Sequence, residues 1–186
     1  MDNEDIINFA KELGKLKKIK RTGWKTRGIK DPESIADHSF RTAVLGMLLS
    51  DLEGLDTEKV VRMLLLHDIQ EAVSGDITSV EKEKMPDNGR SIEEDSIRKI
   101  LSYLPEKLKE KYLSLWEEME NSKTREAKFC KDMDKLEMMI QLTEYEKEQP
   151  ERKDILKIFW EREDLNTPKH TDSLIKLYKD LKNEES

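Results

Sequence analysis

The sequence predicts an all-α fold, a compact single-domain bundle of helices with no sheet, and three observations carry that prediction. Apolar residues recur at helical spacing from one end of the chain to the other, and no run alternates with the period of two that a half-buried strand requires. Breakers are scarce, with 7 glycines and 5 prolines in 186 residues. Charged residues make up 40% and hydrophobic ones 35%, a balance suited to solvated helix faces around a modest core.

The elements follow in order. Ile6, Phe9, Ala10, Leu13 and Leu16 share a helical face and predict a first helix, which ends before the Gly- and Pro-containing loop from Arg21 to Pro32. Ser34 and Asp37 form a capping box for a second helix, whose inner face is expected to include Ala43, Val44, Met47, Leu48 and Leu52. A third helix is predicted from about Thr57 to Val73, with Val61, Leu64, Leu65 and Ala72 on its apolar stripe and Gly75 as its stop. An irregular charged stretch then runs to about Gly89. Ser91 with Glu94 predicts the next cap, and Pro105 opens a helix bearing Leu108, Tyr112, Leu115, Trp116 and Met119. After Thr124 comes a helix with the stripe Ala127, Cys130, Asp134, Met138, Gln141 and Tyr145, followed by helices around Ile155 to Trp160 and Leu174 to Leu181. The whole of 1–186 reads as one domain, with a core of about 34–145 and C-terminal packing helices at about 151–183.

Composition narrows the functional classes. The net charge of -7, with no long basic tract, argues against a nucleic-acid polymer as partner. A single cysteine, Cys130, excludes an internal disulfide and a four-cysteine zinc site. No apolar run approaches the roughly 20 residues of a membrane span, and the acidic start at Met1 to Asp5 lacks a signal peptide's basic opening. A cytoplasmic protein is expected.

The informative anomaly is His67-Asp68. Asp68 falls on the apolar stripe of the third helix, where an unpaired charge would cost several kcal/mol, so it needs a metal, a cationic partner or water-lined access. Asp134 repeats the anomaly further on. A lone helical histidine is more often a hydrogen-bonded core or surface residue. Two carboxylates on apolar stripes, together with His38 in a first helical turn, shift the balance toward a metal held by His38, His67, Asp68 and Asp134. The chain has 3 histidines, which favours a mononuclear centre. His170, the third, is expected to be an exposed helix residue.

The segments Ala36-Asp37-His38-Ser39, Leu66-His67-Asp68-Ile69-Gln70-Glu71, Gly75-Asp76-Ile77 and Lys131-Asp132-Met133-Asp134 resemble the HD-domain metal phosphohydrolases, whose motif order is H, HD, D. Arg21-Thr22-Gly23-Trp24, Arg27-Gly28-Ile29 and Pro32-Glu33-Ser34 are similar to the small 5'-deoxynucleotidase branch of that family, and the similarity continues through Leu115-Trp116-Glu117-Glu118 and Glu126-Ala127-Lys128-Phe129 to Tyr145. Gln70 stands where a small apolar residue is frequent, and Ser79-Val80 replaces an Ala-Pro-like step.

The resemblance implies hydrolysis of deoxyribonucleoside 5'-monophosphates with one divalent ion per subunit, manganese, cobalt or magnesium, and a homodimer. Trp116, Phe159, Trp160 and Tyr178 look like more aromatic surface than one small core needs, which agrees with an interface. Glu71 and Asp76 are implied as catalytic carboxylates, the first to orient or deprotonate water, the second to bind water or assist proton delivery to the departing sugar oxygen. Arg21 and Arg27 offer forked hydrogen bonds to phosphate, with Thr22 and Ser34 as helpers, and Trp24 offers an indole face to a nucleobase. The alternatives are another HD-type nucleotide phosphohydrolase or phosphodiesterase, or a non-catalytic helical nucleotide-binding module.

Overall fold

Ser34 accepts a hydrogen bond from the Asp37 backbone N–H while Asp37 accepts one from that of Ser34, and this closed box starts the helix that carries His38. In the computed structural model, which describes residues 3–184 (backbone only at 163 and 164), helices form the fold. The start at Met1 and Asp2 and the last two residues of the 1–186 span lie outside the described residues. No strand occurs among the described residues; a lone backbone bridge joins Lys20 to Ser34.

The helices are α1 (Asn3–Leu13), α2 (Thr22–Lys25), α3 (Ile35–Glu53), α4 (Thr57–Leu66), α5 (Glu71–Ser74), α6 (Ser79–Lys82), α7 (Arg90–Leu101), α8 (Glu106–Glu120), α9 (Arg125–Glu148), α10 (Lys153–Glu161), α11 (Glu163–Asn166) and α12 (Asp172–Glu184). At 24 residues, α9 is about 36 Å long and forms the axis against which α3, α4, α8, α10 and α12 pack. Its N-cap is Thr124, which accepts from the Ala127 N–H.

The core has two parts. Met63, Leu64, Phe129, Met133 and Met139 are fully buried between α4 and α9, and Ile97, Ile100, Leu101 and Trp116 fill a second cluster beneath α7 and α8. Each such side chain contributes roughly 1.5–3 kcal/mol. At Gly46 a Cβ would lie 2.1 Å from Leu64 Cδ1, so glycine there is what lets α3 and α4 approach. No described helix is long and apolar enough to cross a membrane.

Four expectations need correction. Helix α3 turns His38, Thr42, Ala43, Gly46 and Ser50 inward, leaving Val44, Met47, Leu48 and Leu52 exposed, because its neighbour α4 approaches across the small residues. The predicted Thr57–Val73 helix breaks after Leu66: His67 Nδ1 donates to the Leu64 carbonyl at 2.6 Å, taking up an acceptor of the helix end, and α5 follows as a separate turn. Its buried face is Val60, Met63 and Leu64, with Leu65 exposed. Helix α7 is entered through left-handed Gly89 instead of a Ser91 cap, and Ser91 donates its backbone N–H to Asp87. Trp116 and Tyr178 are core residues, with Phe159 and Trp160 packed against the core, so these aromatics offer little interface surface.

Candidate metal centre and active-site cleft

Four donor side chains arrive from three places in the chain: His38 from the first turn of α3, His67 and Asp68 from the break between α4 and α5, and Asp134 from the middle of α9. His38 Nε2 lies 3.0 Å from Asp134 Oδ1, 3.3 Å from His67 Nε2 and 3.8 Å from Asp68 Oδ2. His67 Nε2 is 3.2 Å from Asp68 Oδ2 and 3.9 Å from Asp134 Oδ1. Donors bound at about 2.1 Å and at right angles to one another on a shared ion sit about 3 Å apart, so the spacing of His38, His67 and Asp134 fits one divalent cation, with Asp68 beside His67 as the fourth donor. The donor chemistry fits too, with two imidazoles and two carboxylates. Both rings are buried, while Asp68 and Asp134 keep 14% and 33% of their side-chain surface open to the cleft.

The electrostatics agree with a site built for positive charge. Burial raises the proton affinity of the Asp68 and Asp134 carboxylates, but the two histidines outweigh it and hold both well below the usual range. Burial and Arg21 pull His38 down, and hydrogen bonds to Asp134 and Glu137 carry it up to about 10. In the metal-free protein His38 therefore carries a proton that an incoming cation must displace.

The cluster opens onto a cleft of about 470 Å³, a size suited to a small ligand. Arg21, Trp24, Arg27, Asp68, Glu71, Asp76 and Asp134 all line it, with His38 and His67 set behind. Glu71 is buried with Oε2 lacking a partner, and burial together with Asp68 and Asp76 pushes its carboxyl well above the ordinary range. Asp76 accepts the Thr22 backbone N–H, and the Thr22 hydroxyl donates to the Asp76 carbonyl at 2.9 Å, which ties α2 to the turn after Gly75. Arg21 Nη1 lies 3.5 Å from Asp68 Oδ2. Arg27 sits at the rim, donating to the Gly23 carbonyl at 2.9 Å with its guanidinium 4.4 Å from the Phe159 ring centre.

Trp24 departs from expectation. It is 1% exposed, its indole N–H donates to Glu33 at 2.9 Å, and its ring lies 4.5 Å from that of Phe159 and 5.4 Å from that of Tyr145. The residue is part of the cleft wall with no open face for a base, because the loop folds back onto α9 and α10. Ser34 serves as the α3 cap. His170 is exposed, just before α12, and donates its backbone N–H to Asp132.

Sequence reasoning missed four residues. Lys82 and Lys135 line the cleft, the former paired with Glu93. Asp132 and Glu137 are wholly buried carboxylates flanking Asp134. Their partners come from distant segments, so nothing local marks them except a polar residue at an inward helical position.

Comparison with known proteins places this geometry. A family model described as HD domain matches residues 13–171. The human 5'-deoxynucleotidase HDDC2 is 38% identical over 141 residues, 76% of this chain and 68% of its own length. The Schizosaccharomyces pombe 5'-deoxynucleotidase hdd1 is 39% identical over 162 residues, 83% of this chain and 79% of its own. Among solved structures, a conserved hypothetical protein from Pyrococcus furiosus superposes with a TM-score of 0.79 at 31% identity, covering 95% of this chain and 99% of that one. A predicted metal-dependent phosphohydrolase from Magnetospirillum magnetotacticum gives 0.71 at 26% identity, covering 97% and 91%.

Proposed function

The chain belongs to the HD-domain family, and on that premise we propose that it is a metal-dependent 5'-deoxynucleotidase releasing phosphate from deoxyribonucleoside 5'-monophosphates. The observation that carries the reading is one cleft in which the His/Asp cluster, two further carboxylates and two arginines converge. His38, His67, Asp68 and Asp134 would hold one divalent ion; the mixed imidazole and carboxylate set supports manganese or cobalt, with magnesium as third candidate. When bound, such an ion lowers the pKa of water and polarises a phosphoryl oxygen.

The chain's own residues supply the rest. Glu71, buried at the cleft, orients the attacking water or, in its ionised form, takes its proton as oxygen attacks phosphorus. Asp76, fixed by Thr22 and lining the same cleft, binds water or assists in passing the proton taken from the attacking water to the departing sugar oxygen as the P–O bond breaks. Arg21 and Arg27 hold the non-bridging phosphate oxygens. The Trp24 wall, backed by Phe159 and Tyr145, gives the cleft a fixed shape.

A homodimer belongs to the same reading. Support for a surface comes from the outward stripe of α3, where Phe40 and Leu52 are 70% and 75% exposed and Val44, Met47 and Leu48 lie between them. Sedimentation of the wild type against a Phe40→Lys, Leu52→Lys double variant tests it: a dimer that becomes a monomer is expected, and a wild-type monomer contradicts it.

The substrate is tested by phosphate release from a panel of deoxy- and ribonucleoside mono- and triphosphates. Release confined to deoxy monophosphates is expected; release from triphosphates alone would assign a different member of the same chemistry.

A further inference from the structure

His38 is clasped at both ring nitrogens by one helix. Nε2 faces Asp134 in the cleft, and Nδ1, on the interior side, donates to Glu137 Oε2 one turn further along α9. His67 is held differently, since its Nδ1 donates to the neutral Leu64 carbonyl. Only one of the two imidazoles is therefore backed by a charge.

Glu137 is 0% exposed, a costly place for a carboxylate that only fills space. Its second oxygen accepts from Arg41 Nε at 2.6 Å. Arg41 sits one turn after His38 on α3 and in turn donates to Gln141 at 2.6 Å and to Glu144 at 2.8 Å. Glu137, Gln141 and Glu144 stand on successive turns of α9, so the network runs from the buried ring to the surface. Glu33 also lies near His38 and Glu137, but one of its oxygens accepts the Trp24 indole N–H and both Glu137 oxygens are occupied. His38 and Glu137 are thus a hydrogen-bonded pair held by Arg41, with Glu33 beside them bound to Trp24.

We infer that Glu137, clamped by Arg41, is a positioning residue for the metal-binding face of His38. It holds the ring with Nδ1–H turned inward and Nε2 presented to the cluster, and its charge makes that nitrogen the stronger donor. The inference rests on the metal-dependent reading above and adds a residue pair that touches neither substrate nor ion.

The test compares wild type, Glu137→Gln and Glu144→Gln for manganese and cobalt affinity by chelator competition, with metal-free melting temperatures and separate kcat and KM for a deoxynucleotide. Glutamine keeps the shape and an acceptor but removes the charge. Glu137→Gln should weaken metal binding about 10- to 100-fold and lower kcat while KM moves less than about twofold, and Glu144→Gln should stay within about twofold of wild type. Metal affinity within twofold of wild type in Glu137→Gln overturns the inference, whatever its melting temperature. Should that variant fail to fold, Arg41→Lys decides: a loss of about threefold or more is expected, and unchanged affinity overturns it. A wild type that binds no metal would instead overturn the deoxynucleotidase reading itself, and that result is read from the wild-type arm alone.

Discussion

Arg21 and Asp68 lie 47 positions apart and meet in the cleft, guanidinium Nη1 at 3.5 Å from carboxylate Oδ2. The same guanidinium feels Asp134, Asp76 and Glu71, and together these carboxylates overcome its burial and keep it firmly charged. A substrate phosphate entering the cleft competes with Asp68 for it. Arg21→Ala should therefore lower kcat/KM about 10- to 100-fold, or roughly 1.4–2.7 kcal/mol, mainly through KM. Metal affinity should hold or rise, since a positive charge leaves the site. Steady-state kinetics with metal analysis of the purified variant checks both; loss of metal would make Arg21 a structural partner of the cluster.

Asp68→Ala and His67→Ala should abolish metal retention, whereas Glu71→Ala should keep the metal and lose turnover by about 100-fold or more. Glu71 Oε2 has no hydrogen-bond partner, whereas Asp68 Oδ2 lies 3.2 Å from His67 Nε2 within the cluster. Elemental analysis of the three variants separates the roles, and metal loss in Glu71→Ala would move it into the ligand set.

For Trp24 the structure replaces a binding prediction with a packing one. Trp24→Ala removes a fully buried ring and leaves Glu33 unpaired, which should cost about 3–5 kcal/mol of stability and reduce hydrolysis of a nucleotide and of a small phosphate ester alike. Trp24→Phe should recover most of the stability. An unchanged melting temperature with KM raised for the nucleotide alone would restore base stacking.

These differences show what local pattern carries. Caps were legible because their partners are three residues apart: Ser34 with Asp37, Thr124 with Ala127. The cluster was legible because His67-Asp68 and Asp134 offend the hydrophobic period. The α3 stripe was misread because Val44, Met47 and Leu48 have helical spacing, yet burial went to the small residues that α4 can approach. The break at His67 follows from a side chain bonding the Leu64 carbonyl, and no composition rule marks it. Asp132 and Glu137 were silent for a further reason, since the groups that make their burial tolerable lie far along the chain.

Asp132 is the clearest such case, accepting backbone N–H groups from Lys169, His170 and Thr171 at 2.7 Å each. It fastens the segment before α12 to α9, behind the cleft wall. Asp132→Ala should cost about 3 kcal/mol, a fall of roughly 6–12 °C in melting temperature for a domain of this size. A change under about 2 °C would mean that water replaces the carboxylate.

Acid should weaken the α4 to α8 contact through Glu118, which pairs with Lys59 at 2.5 Å and accepts from Thr124. Burial opposes ionisation, but these two partners prevail and hold the carboxyl below its ordinary 4.5. A lowered folded-state value means that its contribution is complete above pH 4.5 and fades as pH falls through that lower value. In chelated protein, the drop in melting temperature below about pH 5 should be shallower in Glu118→Gln than in wild type. Identical acid limbs would show that the pair contributes nothing measurable.

The most direct test of the metal-centred account is to titrate manganese or cobalt into chelated wild-type protein while following phosphate release from a deoxyribonucleoside 5'-monophosphate. Activity absent at the start and saturating at one ion per chain is the predicted result. Full activity in the chelated protein, or none at any metal concentration, would contradict it.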